Sequence, residues 1–379
     1  AERRMANTAE EEAKENEASS SHDERVVWAR NAKVLYDVWF ARRLEWSSLV
    51  VEWLPGVTKG EEEGSRRHEL LVGTHASTGE PNSLQLLSVT LPSAETEIDT
   101  TKDFGRDLTE DARAFSHPGG EANRVRHKNA TLFASKCANG LVYVYDKQKS
   151  EPTATLRGHD DEGYGLAWDP SLSSSLLASA AYDGTLCLFD VEVAKAAATS
   201  RGAHGGLPIG DVAYAPKKTN FLATAGDDRR VLFWDPRTLS SPSSALSAHE
   251  GDINAVSFAA REAVVEEHFF VTGSSDRTLK LWDLRSLSKP LHASTLSHDV
   301  VVAHWAPFGA AFVAAVAGNR ASIFDFSKLG ADDSDVRNAK GFLENDDDLE
   351  TTPELVMEHA GHSAKLTDLS WNLAEYALA

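Results

Sequence analysis

Cysteine is nearly absent: the 379 residues hold two, Cys137 and Cys187, which is no disulfide framework and offers no paired CxxC metal motif. No apolar run approaches the roughly 18 residues that a membrane helix needs, and no basic-then-apolar segment opens the sequence. A reducing compartment and no membrane partner are expected. Basic residues are in short supply, 38 Lys and Arg against 58 Asp and Glu, for a formal charge of -20. Holding nucleic acid directly needs basic surface that releases counterions from phosphate, so direct sequence-specific nucleic-acid binding is not expected. A partner drawn by charge should itself be basic. The GxxxxGK phosphate loop, the GxSxG elbow and the HExxH helix are also missing, so neither an enzyme nor a cofactor nor a metal is expected. His359 and His362 are closely spaced, yet His362 belongs to a repeat motif, and Asn129-Ala130-Thr131 is a glycosylation signal without meaning in a chain that is not secreted.

What is present is unevenly distributed acid and a clear repeat. Acid gathers in Glu10–Glu17, in Glu61–Glu63 and above all in Asp332–Glu350, where eight acids face two bases, Arg337 and Lys340. Five complete units open at a His and close on an aromatic residue plus Asp: His117–Asp146, His159–Asp190, His204–Asp235, His249–Asp283 and His298–Asp325. Their endings, VYVYD, LCLFD, VLFWD, LKLWD and SIFD, read as strands packed inside a sheet. Before each ending lies a tight-turn pair: Asn139-Gly140, Asp183-Gly184, Asp228-Arg229, Asp276-Arg277 and Asn319-Arg320. A sixth unit starts at Gly361-His362, runs through KLTDLSW and stops. Upstream, Ser48–Pro55, His68–His75 and Ser83–Pro92 form a degenerate unit without the His.

Successive motif His residues are 42, 45, 45, 49 and 64 positions apart, the first four close to the WD-repeat period of roughly 40 to 45. The fold class expected is all-β, a seven-bladed WD40 β-propeller with its last blade incomplete. Recurrence once per unit favours a structural role for these His residues over metal binding or a catalytic triad. WD repeats carry a His, Ser or Thr, Asp and Trp tetrad, and His249, Asp276 and Trp282 resemble it most fully. His159 with Asp183 and His204 with Asp228 match it in part.

Ahead of the repeats, residues 1–20 are polar, charged and expected to be disordered. A helix is expected over 21–43, because Ser21 and Glu24 have capping-box spacing and Val27, Val34, Leu35 and Val38 share a face interrupted only by Asn31. Trp28, Tyr36, Trp39 and Phe40 widen the apolar surface beyond one stripe, so this helix wants two partners. The propeller then spans 44–379 with an acidic insert at 331–352.

Beyond generic WD endings, the chain resembles the retinoblastoma-binding histone chaperone family, the small subunit of chromatin assembly factor 1. The residues that carry the resemblance are Leu35-Tyr36-Asp37, LEWSSLVVEWLP (Leu44–Pro55), LVGTHAS (Leu71–Ser77), GEANRVR (Gly120–Arg126), LRGHDDEGYGLAWDP (Leu156–Pro170), TGSSDRTLKLWDLRSLSKPLH (Thr272–His292) and PELVMEHAGHSAKLTDLSWN (Pro353–Asn372). The resemblance runs from about residue 22 to the end, and the LEW segment and EGYGL loop are its most specific parts. It implies a histone-binding scaffold in the nucleus, a monomer within hetero-complexes for chromatin assembly, deacetylation, Polycomb repression or remodelling.

It further implies that the first helix of histone H4 lies between the N-terminal helix and the acidic loop. Val34, Leu35 and Val38 would give apolar contact, Asp346, Asp347, Asp348 and Glu350 the charge, and Pro353 and Leu355 the end of the loop. A basic helix in a groove needs such apolar anchors with acids beside them. A second implied site, for histone H3 tails, is the channel rim at Glu121, Asn123, Arg124, Glu162, Tyr164, Asp252 and Asn254. Here the chain departs from the family: Gly210 stands where an acid is usual, and DVVVAHW after His298 is two residues shorter. After Trp371 the family continues through further strands, whereas this sequence reads NLAEYALA, which suggests a fragment. Two other readings compete. Trp234-Asp235-Pro236-Arg237 and Trp282-Asp283-Leu284-Arg285 resemble the WDxR box of cullin-ligase substrate receptors, and a ribosome-assembly propeller would also meet a basic partner.

Overall fold

The computed structural model describes residues 26–32, 35–61, 64–76, 79–93, 108–259, 268–308, 311–330, 352–374 and 377–379. The tail 1–20, Val34 and the carboxylates Asp346, Asp347, Asp348 and Glu350 lie outside the described residues. Each of the five complete units, and the degenerate unit ahead of them, becomes one four-stranded antiparallel sheet. The first sheet is β1 (Val51–Lys59), β2 (Ser65–Gly73), β3 (Ser83–Pro92) and β4 (Thr109–Ser116). The second is β5 (Ala122–His127), β6 (Leu132–Cys137), β7 (Val142–Asp146) and β8 (Ala154–Leu156). The third is β9 (Gly165–Trp168), β10 (Leu176–Ala180), β11 (Leu186–Asp190) and β12 (Lys195–Ser200). The fourth is β13 (Ile209–Tyr214), β14 (Leu222–Gly226), β15 (Arg230–Trp234) and β16 (Ser244–Ser247). The fifth is β17 (Ile253–Phe258), β18 (Phe269–Ser274), β19 (Thr278–Asp283) and β20 (His292–Thr295). The sixth is β21 (Val300–Trp305), β22 (Phe312–Ala317), β23 (Arg320–Asp325) and β24 (Leu355–His359).

The first strands of neighbouring sheets, β1, β5, β9, β13, β17 and β21, touch one another in that order around the channel. Third strands such as β11 are buried on both faces because a sheet covers each side, which is why LCLFD runs apolar instead of alternating. The core is accordingly a series of layers between sheets. One layer joins Val142, Val144 and Leu156 of the second sheet to Leu166, Leu177 and Phe189 of the third. Each such side chain contributes on the order of 1.5–3 kcal/mol by leaving water. The expected turns form, with left-handed backbone at Gly140, Gly184, Arg229 and Arg277; in the sixth sheet it falls on Gly318, one residue before the expected pair.

Six four-stranded sheets are present among the described residues, not the seven expected. In the seventh unit a single ladder bridge, Trp371 to Leu378, forms beyond the sixth sheet, too little for a blade. Residues 366–372 nevertheless fill the space between β21 and β1. Trp371 Nε1 donates to His304 O at 3.1 Å, repeating the bond of Trp168 Nε1 to Arg126 O at 2.9 Å. On the other side Val51 N–H donates to Asp368 Oδ2 and Trp53 N–H to Ser370 Oγ.

The N-terminal helix is also shorter than the expected 21–43. Described helical residues are 26–32 and 35, and the amide of Tyr36 closes the last turn on Ala32 O at 3.0 Å. Val38, Phe40 and Leu44, read as part of an over-wide helical face, instead form an extended strap over Trp53, Leu70, Val72 and Val89 of the first sheet. Sheet contact gives those side chains a burial that a continued helix would not.

Candidate functional site

The motif tetrads form first, because their parts are adjacent within a sheet. His249 Nδ1 lies 2.9 Å from Asp276 Oδ2, its Nε2 meets Thr272 Oγ1 at 2.7 Å, and Trp282 Nε1 donates to the same hydroxyl at 2.9 Å. The fourth sheet repeats this with His204, Asp228, Thr224 and Trp234. Burial, opposed by Asp276, lowers His249 to about 4, so the ring is neutral and acts as a bridge between carboxylate and hydroxyl. These groups are satisfied internally and have nothing left to offer a ligand. Replacing Thr272 by Val keeps the shape and removes the shared acceptor, leaving His249 Nε2 and Trp282 Nε1 buried without it. The expected cost is about 2 kcal/mol, read from denaturant unfolding, and a Thr272→Ser variant should recover most of it.

The third sheet departs from the pattern. His159 Nδ1 is 3.6 Å from Asp183, and Phe189 stands where a tetrad has its Trp. Ser179 Oγ, whose counterparts in the fourth and fifth sheets accept from an indole, here meets His159 Nε2 at 2.9 Å and receives Lys136 Nζ from β6 at 2.7 Å. A lysine from the neighbouring blade has taken the indole's place.

The helix docks on the sixth sheet through aromatic rings. Trp28 and Ala32 are its buried face, while Val26, Val27 and Leu35 are about half exposed. Trp28 packs edge-on against Tyr36, Trp39 and His359 at 5.9, 5.4 and 4.8 Å. Gly361 permits this, since a Cβ there would sit 2.8 Å from the Trp28 ring. Tyr36 Oη lies 2.6 Å from His359 Nδ1 and accepts from Trp28 Nε1 at 3.1 Å. Burial, and after it the charge of His362, lowers His359 to about 4, so its ring is a neutral acceptor for the Tyr36 hydroxyl.

His359 ends β24, the strand that the acidic insert leads into from β23. The insert is thus a connection inside the sixth sheet. Its exit is fixed by Glu354, buried to 1 % exposure, whose Oε1 takes His292 Nε2 at 2.6 Å. Pro353 and Leu355 flank it half-buried, Val38 is half-buried under the strap, and Val356 is exposed. Of the apolar residues expected to face a ligand, Leu35 is the one left open.

At the channel rim the expected residues divide. Glu121 is partly exposed and paired with His75 Nε2 at 2.7 Å, Glu162 and Tyr164 are half-buried, and Asp252 is exposed. Asn254 spends its amide on Val300 O at 3.0 Å. Arg124 does not belong to the rim surface. It lies two residues inside β5, 5 % exposed, where Nη1 pairs with Asp368 Oδ1 at 2.8 Å and Nε donates to Tyr164 O at 3.1 Å. Asn123, 2 % exposed, is likewise buried and donates to Glu162 Oε2 at 2.9 Å.

Gly210 is glycine for a steric reason: a Cβ would come 2.6 Å from Ile253 O, so this backbone leaves no room for an acid there. Asp227, absent from the expected set, joins the rim instead. Burial first, then the charges of Asp252 and Asp228, raises its carboxyl. The doubled Asp227-Asp228 was the available signal, one acid for the turn and one to spare. In the WDxR segments, Arg237 and Arg285 fold back onto their own Asp235 and Asp283 at 2.6 and 2.8 Å.

Sheets, tetrads and channel define a WD-repeat β-propeller, and residues 150–190, 198–235 and 240–283 match the WD domain, G-beta repeat. Residues 23–93, the helix, the strap and the first three strands, match the family described as the histone-binding protein RBBP4 or its counterpart in the CAF1 complex. The chain belongs to the RBBP4-like histone chaperone family.

Proposed function

We propose that this chain is a non-catalytic histone-binding scaffold that works in the nucleus, holding the first helix of histone H4 between its N-terminal helix and the acidic insert. The observation that carries the reading is the 2.6 Å bond between Tyr36 and His359, which ties the helix to the strand directly following the insert. Val27 and Leu35 on the helix and Val356 on the strand stay exposed for apolar contact, and the insert supplies acid for Lys and Arg of a basic helix. Asp346, Asp347, Asp348 and Glu350 are the groups assigned to that pairing. The rim carboxylates Glu121, Glu162 and Asp252 are a second seat, for the basic tail of histone H3. Chromatin assembly, deacetylase, Polycomb and remodelling complexes are the assemblies in which such a scaffold serves.

The test is binding of the purified chain to an H3–H4 dimer and to a peptide of the first H4 helix at low and moderate salt. Affinity should fall as salt rises, and changing Asp346, Asp347 and Asp348 together to Asn should weaken binding about tenfold or more at low salt and flatten that dependence. Unchanged affinity in the triple variant would remove the groove reading.

A further inference from the structure

We propose that Tyr182 makes the channel rim selective for weakly hydrated organic cations, the guanidinium of arginine or a methylated ammonium, over the plain ammonium of lysine. This rests on the reading of the rim as a seat for basic tails. Tyr182 occupies the position just before the turn Asp183. The fourth and fifth sheets have Asp227 and Ser275 at that position. Its ring is 37 % exposed and lies 5.8 Å from that of Tyr164 at 46°, so the two phenols open as a notch instead of stacking face to face.

The notch is held from below. Tyr182 N–H donates to Glu162 O at 2.8 Å, and the Glu162 carboxylate is gripped by Asn123 Nδ2. The other end of that amide, Asn123 Oδ1, is buried and has no hydrogen-bond donor. Burial first, then Tyr164, Glu162 and Asp227, pushes Tyr182 up to about 12, which keeps the phenol neutral and its ring face electron-rich. Two ring faces beside carboxylates attract a cation that can shed its water cheaply. A guanidinium or methylated ammonium does so, whereas a lysine ammonium is strongly hydrated. A guanidinium could in addition give an N–H to Asn123 Oδ1.

The experiment uses three short peptides of identical backbone whose cationic residues are all lysine, all trimethyl-lysine or all arginine. Binding to the full chain is measured by fluorescence anisotropy at low and moderate salt. The arginine or the trimethyl-lysine peptide, or both, should bind about three- to tenfold tighter than the lysine peptide. Whichever is favoured names the cation. Tyr182→Ser should erase the preference without changing the lysine peptide's affinity or salt slope, and Tyr182→Phe should keep it. Equal binding of all three peptides, or a preference that survives Tyr182→Ser, overturns the proposal while leaving the rim reading intact. Failure of every peptide to bind the unaltered chain overturns the rim reading and the proposal together.

Discussion

Arg124→Met should destabilise the fold by about 3–5 kcal/mol at neutral pH, measured by urea unfolding. The reason lies in what surrounds the guanidinium. Asp368 and Arg124 have side chains 2 % and 6 % exposed, and Asp211 and Glu52 add two further carboxylates to its surroundings. Burial raises Asp368 and Asp211, and Arg124 is the first group opposing that rise in both. Remove the guanidinium and two carboxylates stay in a poorly solvated channel wall with less counter-charge, and Tyr164 O loses its donor. Asp368 also accepts from Val51, so the damage reaches the join between residues 366–372 and β1.

The pH dependence has a definite sign. A carboxyl whose folded value stands above its unfolded value stabilises fully below the unfolded value, and that contribution is lost as pH rises through the folded value. The deficit of the variant should therefore be largest near neutrality and shrink toward about pH 4. Adding Asp368→Asn to Arg124→Met keeps an acceptor for Val51 and removes the charge, so the double variant should regain part of the loss. A loss below about 1 kcal/mol, or no recovery in the double variant, would mean that the pair matters little.

Arg124 also illustrates what the sequence does and does not disclose. Five blades are legible because their third strands are apolar runs closed by an aromatic residue and Asp, and because the turns before them need Asn, Asp or Gly. The fourth strands are not: TEDARAFS, KAAATS, SALS and HAST are mostly exposed, so no burial pattern marks them. Counting a few residues past a blade's His suggests a loop on the rim. For Arg124 that count fails because β5 has already begun at Ala122, with a bulge between Ala122 and Arg124 that turns the guanidinium inward.

The N-terminal segment misleads in a similar way. Val38, Phe40 and Leu44 are apolar at spacings compatible with a helix, yet a preformed sheet face beside them rewards an extended strap more. Trp28 and His359, which dock the helix, could be found only as partners: Gly361 opens the space for one and Tyr36 supplies the hydroxyl for the other. Between the helix and the acidic insert, the sequence pattern identifies the parts correctly and the register between them only in three dimensions.

Lys136 yields the last expectation, and the sequence holds half of its explanation. Phe189 stands at the indole position of the third blade, so Ser179 needs another donor, and Lys136 reaches across from β6 to provide it. The ammonium is fully buried, and burial, opposed by Cys187 and Asp183, lowers it from 10.5 to about 7. At about 1.4 kcal/mol per unit, a shift of that size corresponds to roughly 5 kcal/mol in the limit. Above about pH 7 the folded chain releases this proton while the unfolded chain keeps it, so stability climbs with pH, by about 2 kcal/mol between pH 7 and about pH 8.5.

That window isolates the lysine from its neighbours. The buried histidines have finished titrating below it, and Cys137 and Cys187, both raised by burial, act in the opposite sense only above their ordinary value of 9.0. Lys136→Met should flatten the climb. At neutral pH it should also gain about 1–3 kcal/mol, because relief of the buried charge exceeds the roughly 1 kcal/mol lost with the hydrogen bond to Ser179. Unfolding curves across the window decide it: a slope unchanged in Lys136→Met would show that the proton is released elsewhere. A flat slope with no gain in stability would mean that the bond to Ser179 is worth as much as the burial costs.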